Sequence, residues 1–153
     1  MRIKAIIYLS IALMLPLFIA CAGTSKAAQE KSDEAKEFAK HEDKAIVYLY
    51  RPGRAIGAAG QTQIKVNGLD AGGTGPGTFF RWELTPGEYV FSCFTSESSA
   101  VVELDVKANE HYFLRQDTRL GLGDGRVTLK EENEATGEKG VASSKLLIST
   151  YKN

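Results

Sequence analysis

From Lys44 onward the chain alternates short apolar-patterned runs with Gly, Pro, Asn and Asp, a rhythm that predicts strands. AIVYLY (45–50) is apolar at every position, as a central strand covered on both faces would be; Pro52-Gly53 ends it. QIKVNG points Ile64 and Val66 one way and Lys65 the other. TFFRWEL (78–84) places Phe80, Trp82 and Leu84 on one face, with Arg81 and Glu83 opposite. A turn at Pro86-Gly87 leads into YVFSCF. AVVELDVK (100–107) alternates most cleanly, with Ala100, Val102, Leu104 and Val106 inward and Glu103 and Asp105 outward. EHYFLRQ and GRVTLKEE supply two more strands, with Gly123-Asp124-Gly125 consistent with a turn between them.

About seven short strands at this spacing predict a mainly β protein, a single antiparallel β-sandwich. The tail from Asn133 predicts a short C-terminal helix before Leu146-Leu147-Ile148. A domain of this size buries about two thirds of its unfolded surface, enough to fold without disulfides.

The N-terminus follows another pattern. Arg2 and Lys4 precede an apolar run over residues 5–20, and small residues flank Cys21. That order predicts a cleaved signal peptide over residues 1–20. An uncleaved anchor is the alternative, although the run is short against the roughly 20 residues of a membrane span. Residues 21–43 are rich in Ala, Lys and Glu, with Phe38 their only large apolar residue. With no apolar stripe to dock, they predict a charged tether of roughly 25 Å, and the folded domain is expected over residues 44–153.

Phe18-Ile19-Ala20-Cys21 resembles the lipobox of bacterial lipoproteins, departing from it in Phe18, where Leu is usual. The resemblance implies diacylglyceryl transfer to the Cys21 sulfur, cleavage before it and acylation of the new amine. Several acyl chains would hold a protein firmly on its membrane. By the same likeness, Ala22 and Gly23 are not the Asp-type signal for inner-membrane retention, which implies an outer-membrane site facing the periplasm.

Charge adds little. Lys+Arg and Asp+Glu stand at 19 each; without residues 1–20, which hold two bases and no acid, 17 bases face 19 acids, a net charge of −2. A nucleic-acid partner is not expected, because that would require a basic excess on one face. Of the two cysteines, acylation would consume Cys21, leaving Cys93 as a small buried hydrophobe beside Tyr89 and Phe91.

His111 is the domain's one histidine and begins a strand, where a solvent-facing or edge position is expected. Without a second histidine, neither a Ser/His/Asp arrangement nor a zinc cluster can be argued from spacing. GLDAGGTGPGTFF reads as a loop between strands, since its glycines lead into β-type residues and no Gly-Lys-Ser/Thr follows. GLGDG matches a calcium loop only in its Gly-Asp-Gly. No metal or cofactor is expected. Arg51 and Arg115, near Tyr50 and Tyr112, are the candidate ligand-binding residues, able in principle to line a pocket for a carboxylate or acidic sugar. The competing reading, favoured by their strand positions, is outward-facing arginines paired with Glu83, Glu103 or Asp117.

KAIVYLYRPG, the VNG turn, FFRWELTPGEYVFS and VELDVKANEHYFLRQ together resemble an uncharacterised family of bacterial lipoprotein β-domains over about residues 43–135. That family is similar to small sandwich modules with a Pro-Glu-Gly-Ala-like (PEGA-like) turn. The resemblance implies a sandwich in an envelope setting, brings no catalytic residues, and includes Arg51 and Arg115 in its pattern. The expected function is a lipid-anchored, non-enzymatic binding or structural module of the envelope, with the membrane as one partner and an unknown protein or glycan as another. The alternatives are an anchoring subunit of a larger envelope or secretion assembly and, less favoured, an envelope hydrolase.

Overall fold

Alternating burial splits the strands between two facing sheets in the computed structural model, which describes residues 23–53, 60–123 and 125–152. The chain begins with α1 (Gln29–Glu34) and a 3-10 turn (Ala35–Glu37). It continues through β1 (Ala45–Arg51), β2 (Thr62–Val66), β3 (Leu69–Thr74), β4 (Thr78–Leu84), β5 (Gly87–Phe94), β6 (Ser99–Val106), β7 (His111–Arg119) and β8 (Arg126–Glu132). It ends with α2 (Glu134–Ala142) and β9 (Lys145–Leu146). One sheet has the order β8-β7-β1-β4-β9 and the other β3-β2-β5-β6.

The mainly β, two-sheet expectation holds, with nine strands among the described residues instead of about seven. Two pairings are parallel: β1 with β7, from Ile46 opposite His111 to Tyr50 opposite Arg115, and β4 with β9. The extra strands are β3 and β9. The stretch containing β3, expected as a loop, pairs with β2 through Ile64 opposite Gly72 and Thr62 opposite Thr74. Its glycines disguised it. A Cβ on Gly72 would lie 2.9 Å from Thr24 Oγ1 and 3.2 Å from the Phe80 ring, so this strand must be nearly bare where neighbours press on it.

β1 is covered on both faces, as its unbroken apolar run predicts. Ala45, Val47 and Leu49 join Phe80, Trp82, Leu84 and Leu114 against Ile64, Val66, Phe91, Cys93 and Val106 of the second sheet. Ile46, Tyr48 and Tyr50 face the other way, with Phe79 and Phe113, into a smaller cluster closed by Ala35, Phe38 and Val141.

That second cluster overturns the tether expected over residues 21–43, as far as residues 23–43 show it. Ser32 is 2% exposed and its Oγ accepts the Leu146 N–H at 3.3 Å. The Ala35 carbonyl accepts the Tyr48 hydroxyl at 3.1 Å, and the Phe38 ring stands edge-on to Tyr48 at 5.5 Å. Contact through Ser32 and Ala35, with one aromatic, leaves no hydrophobic stripe for sequence patterning to detect. The folded unit therefore starts well before residue 44. Its first segment pairs with its last: the Ala27 N–H donates to Leu146 O at 2.9 Å and the Ile148 N–H to Ser25 O at 2.8 Å. Together they seal the side of the sandwich between β4 and β3, where Leu147 N–H donates to Phe79 O and Thr150 N–H to Ala71 O.

The predicted C-terminal helix is α2. The Asn133 side chain caps it by accepting the Thr136 N–H at 3.0 Å. A Cβ on Gly137 would come within 2.2 Å of the Phe113 ring, and one on Gly140 within 2.1 Å of the Tyr50 ring. These two glycines, three apart on one face, let the helix backbone lie on an aromatic floor.

Candidate functional site

Arg51 ends β1 with the parity of Val47 and Leu49, so its side chain enters the space between the sheets, where it is 4% exposed. One guanidinium nitrogen, Nη1, donates to Gly60 O at 2.9 Å and Thr74 O at 3.1 Å and approaches Thr62 Oγ1 at 3.4 Å. The Thr74 hydroxyl donates to Gln116 Oε1 at 2.7 Å. The fully buried Gln116 amide donates in turn to Thr118 Oγ1 at 2.9 Å and Thr62 Oγ1 at 3.3 Å. Burial pushes the Arg51 pKa down from its ordinary value, but an arginine so high to begin with stays charged at neutral pH. The network ties β1, β2, β3 and β7 together at one end of the sandwich, where hydroxyls and carbonyls solvate the cation.

Arg115 is on the other face of the same sheet. Its Nε donates to Asp117 Oδ2 at 2.7 Å and its Nη2 to Asp117 Oδ1 at 3.2 Å, while Glu132 Oε1 lies 3.8 Å from Nη1. The hydrogen-bonded Asp117 carboxylate raises the Arg115 pKa despite partial desolvation. This is the outward, Asp117-paired arrangement that strand position favoured. The structure does not bring Arg51 and Arg115 together: the sheet lies between them, and a pocket built by both guanidinium groups is ruled out. Cys21, the expected lipidation site, lies outside the described residues.

Arg81 lines a groove of about 370 Å³ between α1 and β4, with Lys31, Glu34, Glu37 and Glu83. It donates to Glu83 Oε1 at 2.8 Å, which draws the Glu83 pKa down. Two cations face three carboxylates there, so the groove selects neither sign. A second groove of about 370 Å³ lies over β2 and β3, lined by Gly23, Thr24, Gln63, Asp70 and Ile148.

His111 departs from its expected solvent-facing or edge position. Its side chain is 2% exposed, edge-on to the Tyr48 and Phe113 rings, with Nδ1 3.6 Å from Glu134 Oε1. The β7 edge that sequence position suggested is roofed by α2, an element from a distant part of the chain. Cys93 is buried as expected, and burial pushes its thiol up to about 11, a poor setting for thiolate chemistry.

One arrangement escaped sequence reasoning. Glu97, in the turn between β5 and β6, reaches the loop between β7 and β8. Its carboxylate accepts the N–H groups of Leu122 at 3.1 Å and Gly125 at 3.3 Å, and that of Gly123. These backbone bonds, Gly123 foremost, lower the Glu97 pKa. The glycines of GLGDG thus present amides to an anion; the missed signal was that the anion is supplied by the chain itself.

A family described as a protein of unknown function, DUF2846, matches residues 41–127. That is more than half of the chain. The chain belongs to the DUF2846 family. The DUF2846 match contains the Arg51 network and the Glu97 loop, but stops at the second residue of β8 and leaves out α1 and α2. The chain is also similar to an uncharacterised protein of Haemophilus influenzae, 28% identical over 134 residues, which cover 87% of this chain and 79% of that protein. This likeness is too long to be confined to residues 41–127.

Proposed function

We propose that the protein is a lipid-anchored module of the bacterial envelope, non-enzymatic, held to the outer membrane by acyl chains on Cys21. The observation that carries this reading is the sequence of the first 21 residues: a basic start, an apolar run and Phe18-Ile19-Ala20-Cys21. The likeness to lipoprotein β-domains with a PEGA-like turn, here Thr85-Pro86-Gly87-Glu88-Tyr89, belongs to the same reading.

Several features of the domain support a binding or structural role. Arg51 is engaged within the fold, His111 is walled by aromatic rings, and Cys93 is held as a thiol. Mass spectrometry of the protein extracted from membranes tests the anchor. The expected chain starts at Cys21 and carries acyl groups; a chain with Met1 intact would overturn it.

A further inference from the structure

Among the described residues, the first hydrogen bond along the chain is made by Thr24, whose Oγ1 accepts the Gly73 N–H at 2.6 Å. Only Ala22 and Gly23 separate it from Cys21, and three residue steps span at most about 11 Å. A domain acylated at Cys21 would therefore sit against the lipid surface instead of roughly 25 Å above it.

The end that meets that surface follows from the strand directions. Gly23 lies beside the side chain of Gln61, immediately before β2. At this end β2, β4, β6 and β8 start, and β1, β3, β5 and β7 finish. It therefore also carries the β7–β8 loop, where Leu120 is 77% and Leu122 106% exposed. Other exposed large apolar side chains among the described residues are less exposed and lie elsewhere: Leu69 on β3, Val101 on β6 and Ile148 just past β9.

At the base of this loop Arg119 pairs directly with Arg126, both exposed. Like charges in register are unfavourable, a repulsion that the Glu97 carboxylate near Arg126 eases in part. The pair suits a layer of anionic headgroups, with the apolar stems reaching along the surface. The Glu97 carboxylate is turned onto the amides of Leu122, Gly123 and Gly125. Asp124, in the same loop by sequence, lies outside the described residues.

We propose that Leu120 and Leu122, flanked by Arg119 and Arg126, form a second membrane contact that lays this end of the sandwich on the lipid surface. With Cys21 as the first contact, two points fix how the domain stands and present the opposite end to a partner. The inference rests on the lipid-anchor reading.

The test uses full-length protein with Leu122→Cys labelled by an environment-sensitive fluorophore, in phosphatidylcholine vesicles with and without phosphatidylglycerol. Lys107→Cys, just past β6 at the opposite end, is the comparison. Both positions are exposed and Cys93 is buried. In the acylated chain the Cys21 sulfur is blocked by lipid, so the label goes to the introduced cysteine; chains that mass spectrometry shows to be unacylated are separated before labelling. Emission from the Leu122 position should shift to the blue and be quenched by spin-labelled acyl chains, while the Lys107 position stays aqueous. An aqueous Leu122 label, or equal quenching at both positions, would overturn the second contact. Adding Arg119→Gln and Arg126→Gln should remove the extra quenching that phosphatidylglycerol brings; no change would sink the headgroup role. Mass spectrometry of the same preparation separates the two readings. An acylated chain with an aqueous label removes only the loop contact, whereas an unacylated chain removes both.

Discussion

On the inner face of the five-stranded sheet, Val47, Leu49, Phe80 and Leu114 meet Ile64, Phe91 and Cys93 of the facing sheet. On its outer face, Tyr48, Tyr50, Phe79 and Phe113 meet two short helices that contribute mainly small residues. The inner face is large side chain against large side chain across two regular surfaces. The outer face is aromatic rings against helix backbone, allowed by Gly137 and Gly140. Apolar patterning detects the first kind of packing on both partners. It detects the second on only one, because the helices that cover the rings carry no apolar stripe of their own.

The largest effect should come from breaking the outer face. Replacing Gly137 and Gly140 together with Val would drive methyl groups into Phe113 and Tyr50. Overpacking of this kind costs about 3 kcal/mol or more when the helix cannot shift. Urea unfolding should show that loss; an unchanged midpoint would mean that α2 does not rest on those rings.

The two arginines give a smaller, sharper contrast across the same sheet. Arg51→Ala removes the group that solvates Thr74 O and Gly60 O inside the sandwich. Leaving buried polar groups unsatisfied should cost about 2 kcal/mol. Arg115→Ala removes a partly exposed pair with Asp117, and such pairs are worth about 1 kcal/mol or less. Equal losses for the two variants, read by thermal or urea unfolding, would erase the distinction between an interior network and a surface pair.

The smallest effect is local and depends on pH. The folded-state pKa of Glu97 is lowered, so its bonds to the β7–β8 loop contribute fully above the unfolded carboxylate value. They are lost as pH falls through the lower, folded value. Protection of the Leu122 and Gly125 amides, corrected for intrinsic exchange, should fall across that acidic range and be insensitive to pH in Glu97→Gln. The same pH dependence in both proteins would show that Glu97 does not hold the loop.

Much of the architecture was legible in the residues. β1, β4, β5 and β6 were marked by their alternation or unbroken apolar runs, and Cys93 by its place among aromatic neighbours. β3 was hidden because a strand pressed by Thr24 and Phe80 has to be built from glycine, which also spells a loop. The parallel β1–β7 pair was hidden because alternation tells which face is buried and not which strand lies alongside. At the candidate site, the Asp117 partner of Arg115 was readable from its position two residues along the same strand. The partners of Arg51 come from β2, β3 and the segment before β2.

By itself, the sequence determined the mainly β class, most of the strands, which side of each strand is apolar and the likeness of Phe18-Ile19-Ala20-Cys21 to a lipobox. These are properties of neighbours along the chain, and local patterning carries them. Only the tertiary structure decided that residues 24–38 belong to the fold, that Arg51 and Arg115 lie on opposite faces of one sheet, that His111 is roofed by α2, and that Gly23 lies beside Gln61, next to the start of β2. Each of these depends on which distant elements come together. That is set by how sheets and helices pack in three dimensions, where Gly72, Gly137 and Gly140 matter for the side chains they lack.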